Sequence, residues 1–220
     1  MSREQRSVLD YIRGDLNVIV DACAGSGKST TILSIAKELT GKKIRQFTYN
    51  SMLRHEIKEK VRELGISNLE VHTYHSFAVK HYSDGAHTDT GIRKITRDNM
   101  EPRNPIPLVD IVVIDESQDM TLLYFELIVK MANDMCSLDN PLVKDEPHKF
   151  QLLVLGDYMQ GLYEFKGADI RFLTKASEIW SGLPHLLSPN FQQCVLKTSY
   201  RVTNQMAKFV NCDMLGEDRL

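Results

Sequence analysis

The residues Asp21-Ala22-Cys23-Ala24-Gly25-Ser26-Gly27-Lys28-Ser29-Thr30 carry the first arrangement able to do chemistry. Small side chains at Ala24, Gly25, Ser26 and Gly27 let consecutive backbone N–H groups curl around the oxygens of a triphosphate, and Thr30 follows at a helix start. Lys28 can reach the β- and γ-phosphates, and Ser29 offers a hydroxyl to Mg²⁺. A second arrangement is Asp115-Glu116, two carboxylates directly after the apolar run Ile111-Val112-Val113-Ile114. Asp115 suits Mg²⁺, directly or through water, while Glu116 suits the proton of an attacking water; one carboxylate could not serve both purposes.

Each arrangement has a plainer reading. Gly25-Ser26-Gly27 alone could be a turn, and an acidic pair alone could favour the positive end of a helix. The loop also begins with Ala22 where the common phosphate-loop pattern has glycine. Against the plain readings stands the order of strand, small-residue loop, Lys-Ser and helix, with the acidic pair at the end of another strand.

These side chains need elements to position them. Val18-Ile19-Val20, Ile44-Arg45-Gln46-Phe47, Ile111–Ile114 and Leu152-Leu153-Val154-Leu155 read as short buried strands, and helical periodicity fills the stretches between them. After Asn50 the apolar Met52, Leu53, Ile57, Val61 and Leu64 recur at helical spacing, which predicts a helix packed on the sheet. Alternating strands and helices predict an α/β fold with a mainly parallel sheet, helices on both faces and ligands at the carboxyl ends of the strands. His81 to Pro107 and Ser137 to His148 read as surface excursions. The run Val195-Leu196-Lys197-Thr198 reads as a new strand, so the expected division is a lobe over 1–193, with a short insertion at about 79–108, and the truncated beginning of a second lobe over 194–220.

The chain has 220 residues, 42% hydrophobic and 25% charged, which excludes disordered and collagen-like classes. It contains no apolar run of the roughly 20 residues that a membrane span needs, and its start has no apolar signal core. The expectation is an intracellular protein, cytoplasmic or nuclear, with no membrane partner. Cys23, Cys136, Cys194 and Cys212 are scattered without a CxxC pair, as reduced thiols would be. A net charge of −2 supplies no global attraction to nucleic acid, so such binding would need a local field, for which Lys42, Lys43, Arg45, Arg54, Lys58, Lys60 and Arg62 are candidates. His72, His75, His81 and His87 complete no metal-ligand set.

Seven stretches then fall in a specific order: Arg3-Glu4-Gln5-Arg6, Ala22 to Ser29, Phe47-Thr48-Tyr49-Asn50, Val71 to Phe77, Asp115-Glu116-Ser117-Gln118-Asp119, Gly156 to Ala168, and Ser199-Tyr200-Arg201. They are similar in turn to the Q motif, motifs I, Ia, Ib, II and III, and the start of motif IV of superfamily 1 helicases. Across almost its whole length the chain resembles the N-terminal RecA-like, nucleotide-binding lobe of a UvrD/Rep-type DNA helicase, most of all the F-box DNA helicase branch.

The resemblance implies an ATP- and Mg²⁺-dependent helicase or translocase moving 3′ to 5′ on single-stranded DNA. It implies that Gln5 reads the adenine edge, Tyr200 stacks on adenine, Arg201 touches the γ-phosphate and Gln160 joins Glu116 in the catalytic set. Nucleic acid would cross the top of the lobe on Tyr49, Tyr74, Tyr163 and Phe165, with Asn50 and His75 on phosphates and Lys166 adding charge. Stacking and phosphate contacts serve DNA and RNA alike, so RNA stays open. Thr30 and Thr31 replace the family's arginine-rich turn, and Phe165-Lys166 replaces Trp-Arg. Nothing after Arg201 resembles motifs V and VI, so a downstream second RecA-like lobe is expected to be required; the sequence leaves the oligomeric state open. A P-loop GTPase or small-molecule kinase is disfavoured, since an Asn-Lys-x-Asp guanine reader is absent. A nucleic-acid-binding module switched by nucleotide without efficient turnover remains the alternative.

Overall fold

A computed structural model describes residues 1–161, 167–216 and 219. Strands β1 (Asn17–Ala22), β2 (Ile44–Thr48), β3 (Leu69–Thr73), β4 (Ile111–Ile114), β5 (Gln151–Gly156) and β6 (Phe191–Leu196) form one sheet in the order β3-β2-β4-β5-β1-β6. Every pairing between them is parallel. Parallel neighbours need crossover connections, which cover both sheet faces with helices and make the central strands apolar throughout.

Side-chain alternation along the strands divides the core in two. Ile19, Phe47, Val112, Ile114, Leu152 and Val154 face α4 (Tyr74–His81), α5 (Asp89–Arg97), α6 (Leu122–Cys136), α7 (Arg171–Thr174) and α8 (Ala176–Trp180). Val18, Val20, Ile44, Val71, Val113 and Leu155 face α1 (Arg3–Arg13), α2 (Lys28–Glu38) and α3 (Ser51–Glu63). Each such side chain, fully buried, contributes about 1.5–3 kcal/mol relative to exposure. The expected α/β class with helices on both faces is the one that forms.

Several boundaries differ from expectation. Strand β3 has no counterpart among the expected strands, because Glu70 and His72 interrupt its apolar pattern. The last strand ends at Leu196 instead of beginning at Val195, and it pairs with β1 from Asn17↔Phe191 to Ala22↔Leu196. The division expected between 193 and 194 therefore cuts through a strand of this sheet. The stretch from His81 to Pro107 is no mere surface excursion: Tyr82, Ala86, Ile92, Ile95 and Ile106 are buried in the α6 side of the core. In α3 only Ile57 is fully buried, while Met52 and Leu64 are exposed. Among the described residues no helix is long and apolar enough to cross a membrane.

Candidate active site

Three strand ends supply the site. Strand β1 delivers the loop 23–27 into α2, whose first residue is Lys28. Strand β4 delivers Asp115-Glu116, and β5, which lies between them, delivers Asp157. This is the carboxyl edge of the sheet, where open α/β folds bind ligands.

The loop is built to present backbone. Gly25 and Gly27 have φ of +75° and +88°, a left-handed geometry that side-chain-bearing residues rarely adopt. A Cβ on Gly27 would lie 2.6 Å from Gln5 Nε2, and one on Gly25 would lie 2.8 Å from the Arg201 side chain. Gly27 also caps α2 without any side-chain bond, which leaves the helix's first N–H groups facing the cleft. Gln5 braces the loop: its Nε2 donates to Ser26 O at 3.2 Å, while its Oε1 accepts from Ser2 N at 2.9 Å in a capping box. From the other side, Ser199 Oγ donates to Ala24 O at 2.7 Å and Tyr200 N donates to Gly25 O at 3.0 Å.

Together these elements surround a cleft of about 760 Å³ lined by Gln5, Ala24, Gly25, Ser26, Gly27, Lys28, Ser29 and Thr30, with Glu116, Gln160, Tyr200 and Arg201 opposite. Lys28 Nζ lies 3.6 Å from Glu116 Oε2. Gln118 Nε2 donates to the same Glu116 oxygen at 2.8 Å, and Gln118 Oε1 accepts from Asp157 N at 3.0 Å. Asp157 Oδ2 in turn accepts from Gln160 Nε2 at 2.7 Å. A continuous polar chain thus joins the loop lysine to Gln160. Glu116 itself has φ of +54°, a left-handed conformation of the kind that costs about 1–3 kcal/mol outside glycine.

Asp115 sits behind Glu116, 2% exposed, accepting from Gln46 Nε2 at 2.9 Å and from Glu116 N at 3.1 Å. Burial first, and then the Glu116 charge, push its pKa well above the carboxylate range. The same two causes raise Asp119 to about 6. Three acids crowd one corner with Lys28 opposing them, a place that favours added positive charge. Among the described residues no three His, Cys, Asp or Glu side chains make a metal cage. The donors fit Mg²⁺ in the manner of sites that use one or two protein oxygens and complete the octahedron with phosphate and water.

Of the residues expected to touch nucleic acid, Tyr49, Asn50 and His75 follow the ends of β2 and β3, and none of these three lines the cleft. Tyr49 and His75 flank Tyr124 at ring separations of 6.1 and 5.8 Å. His75 Nε2 pairs with Asp89 Oδ1 at 3.0 Å, and Asn50 caps α3 by accepting from Met52 N at 2.8 Å. Tyr74 is 3% exposed and stacked on Tyr124 at 4.4 Å, so it is a core residue and not a strand-stacking one. Arg45 is fully buried against Glu70 and the Phe77 ring, which removes it from the expected surface field. Tyr163, Phe165 and Lys166 lie outside the described residues.

Sequence reasoning missed Gln46 and left Gln118, Asp157 and Ser199 without individual roles. Gln46 had a signal: a polar side chain in a short strand read as buried needs a partner, and here it is Asp115.

The AAA_19 family, described as an AAA domain, matches residues 5–166. No curated protein matches the chain. Among solved structures it is similar to the Pif1 helicase of Candida albicans, at 18% identity and a TM-score of 0.51, over 91% of this chain and 40% of that one. It is similar also to the Pif1 helicase of Bacteroides sp in complex with ADP-AlF4, at 16% identity and a TM-score of 0.51, over 96% and 45%. A Bacteroides Pif1 in complex with ADP-AlF3 and ssDNA gives 15% identity and 0.51, over 96% and 44%. The fold is thus the RecA-like α/β fold of helicase lobes, and the chain spans less than half the length of these structures.

Proposed function

Because this chain belongs to the AAA_19 family of AAA domains, we propose that it is the ATP-binding lobe of an ATP-dependent DNA helicase or translocase acting on single-stranded DNA. The observation that carries the reading is the left-handed glycine cradle facing Lys28 and Glu116, 3.6 Å apart, across one cleft. Solved neighbours of this fold are Pif1 helicases, crystallised with nucleotide analogues and single-stranded DNA, which supports both ligand classes here.

In this proposal the loop amides and the α2 N-terminus hold the phosphates, with Gln5 and Tyr200 at the base. Lys28 leaves Glu116 for the β- and γ-phosphates, and Arg201 approaches the γ-phosphate from the segment after β6. Glu116, still held by Gln118, then takes the proton of the attacking water. Ser29 and Asp115 would hold Mg²⁺, which when bound neutralises charge on the phosphate oxygens. Gln160 links this centre to the strand side through Asp157. Tyr49, Asn50, His75, Tyr163, Phe165 and Lys166 are the proposed strand contacts.

Calorimetric titration of Mg-ATP into wild-type and Lys28→Ala proteins tests the site. Binding should vanish in the variant while its melting temperature stays within a degree or two. Unchanged ATP affinity in a folded Lys28→Ala protein would refute the cradle as a nucleotide site. A nucleotide-switched binding module is the second reading, favoured by the exposure of Arg201 at the cleft, where among the described residues only its own segment holds it. Turnover measured with and without single-stranded DNA separates the two.

A further inference from the structure

Beyond the nucleotide cleft, the segment after β6 returns to the carboxyl edge of the sheet. Arg219 is 6% exposed there. Its Nη1 donates to Asp21 Oδ2 at 2.6 Å and its Nη2 donates to Asp21 Oδ1 at 2.9 Å, a two-pronged pair that suits a planar guanidinium. The same Nη2 donates to Asp157 Oδ1 at 2.7 Å, and the guanidinium carbon lies 4.3 Å from the centre of the Tyr158 ring. Its backbone N–H donates to Asn211 Oδ1 at 3.1 Å, which ties the arginine to the helical turn over 210–215.

We propose that Asp21, Asp157 and Tyr158 form a guanidinium-binding site whose occupant is Arg219, so that, through its bond to Asn211, the turn over 210–215 and the α9 helix (Asn204–Phe209) before it are clasped onto the ends of β1 and β5. Two carboxylates spaced for a fork and an aromatic face for stacking are the chemistry that recognises arginine over lysine. The acids come from two different strands, so the guanidinium also bridges the strand that leads into the phosphate loop to the one that leads into Gln160. Asp157 Oδ1 accepts from both Arg219 and Met159 N, and its other oxygen holds Gln160. Arg219 is therefore a positioning residue for the turn over 157–160, acting through Asp157. Removing one partner of a buried charge pair leaves the others uncompensated and is costly.

Amide hydrogen exchange on the 220-residue chain without nucleotide, compared across variants, tests the clasp independently of ATP binding or turnover. In Arg219→Ala, protection over 204–216 and over 156–160 should fall together by about tenfold or more, as loss of a buried ion-pair partner implies. Asp21→Asn should reproduce the loss over 204–216 from the other side. Arg219→Lys should keep part of the protection, since a point charge cannot span both carboxylates. Methylguanidinium added to Arg219→Ala should restore protection over 156–160 and leave 204–216 open, because the turn regains its cation but the segment has no tether. Unchanged exchange in both regions of a folded Arg219→Ala protein would overturn the proposal, as would full retention in Arg219→Lys.

Discussion

At the scale of single residues, Glu116 decides what the cleft can do. Its carboxylate is shared between Lys28 and Gln118, which in the proposed reading aims it at the place the lysine must reach. Glu116→Gln should retain Mg-ATP binding and lose about 10²–10⁴ in turnover, the worth of one acid–base catalyst; calorimetry beside a phosphate-release assay reads both, and loss of binding would make Glu116 a ligand instead. Asp119 gives a pH test. Its folded pKa of about 6 stands above the ordinary 3.8, so its contribution to stability is full below about 3.8 and is lost as pH rises through 6. Asp119→Asn should therefore melt higher than wild type at pH 8, by about 2–4 °C for each kcal/mol recovered in a domain of this size, and the gap should close near pH 4. A gap independent of pH would show that the charge is not the cause. That Lys28, Ser29 and Glu116 would meet at one cleft was legible in the sequence, because phosphate and water chemistry restrict the residue types that can serve. Gln46 and Gln118 were not assigned, since an amide that orients a neighbour has no spacing rule and becomes visible only when strands from distant sequence pair.

At the scale of elements, the phosphate loop is held in shape by pieces far apart in sequence. Gln5 on α1 presses on Gly27, and Ser199 after β6 presses on Gly25. Gly27→Ala should abolish Mg-ATP binding with a modest loss of stability, and adding Gln5→Ala should remove the collision at 2.6 Å without restoring affinity, because φ of +88° stays unfavourable. Restored binding in the double variant would mean that the collision, not the backbone, was the obstacle. The α4 side responds to acid. His81 is buried, with its Nε2 lacking a partner, and burial lowers its pKa to about 4; burial likewise lowers that of His72. A base whose folded pKa is depressed stabilises the fold above its unfolded value and loses that contribution as pH falls, here between about 6.5 and 4. His81→Phe should flatten the fall in melting temperature across that window, and an unaltered slope would exclude His81 as its source. Strands β1, β4 and β5 were legible because burial on both faces makes their centres continuously apolar, and β2 because Ile44 and Phe47 bracket its buried polar pair. Strand β3 was not, because it lies at the sheet edge and alternates with Glu70 and His72, and α5 was hidden because its buried Ile92 and Ile95 are spaced by charged residues.

At the scale of the whole molecule, the sheet order places β5 between the strand of the phosphate loop and the strand of the acidic pair, so Asp157 can hold Gln160 on one side and meet Gln118 on the other. The topology was predictable as a class from alternating strands and helices, but the strand order was not, because it depends on which crossovers close over which face. The overall arrangement leads to an expectation about rate. Among the described residues the cationic side chains lining the cleft are Lys28, Lys60 and Arg201, and Arg201 is exposed on the segment after β6, its backbone N–H donating to Ser199 Oγ at 3.4 Å. Arginines that stabilise transition-state charge contribute about 10³–10⁵ in rate, and they do so when held rigidly against the phosphate. A polypeptide of residues 1–220 should therefore bind Mg-ATP yet hydrolyse it slowly, with little response to single-stranded DNA. Arg201→Ala should change that slow rate hardly at all. If a longer polypeptide carrying a second RecA-like lobe supplies the missing rigidity, the same substitution there should cost a large part of strand-stimulated turnover. Single-turnover measurements on both polypeptides decide the matter, and brisk, strand-stimulated hydrolysis by residues 1–220 that depends on Arg201 would show that one lobe already holds its arginine in place.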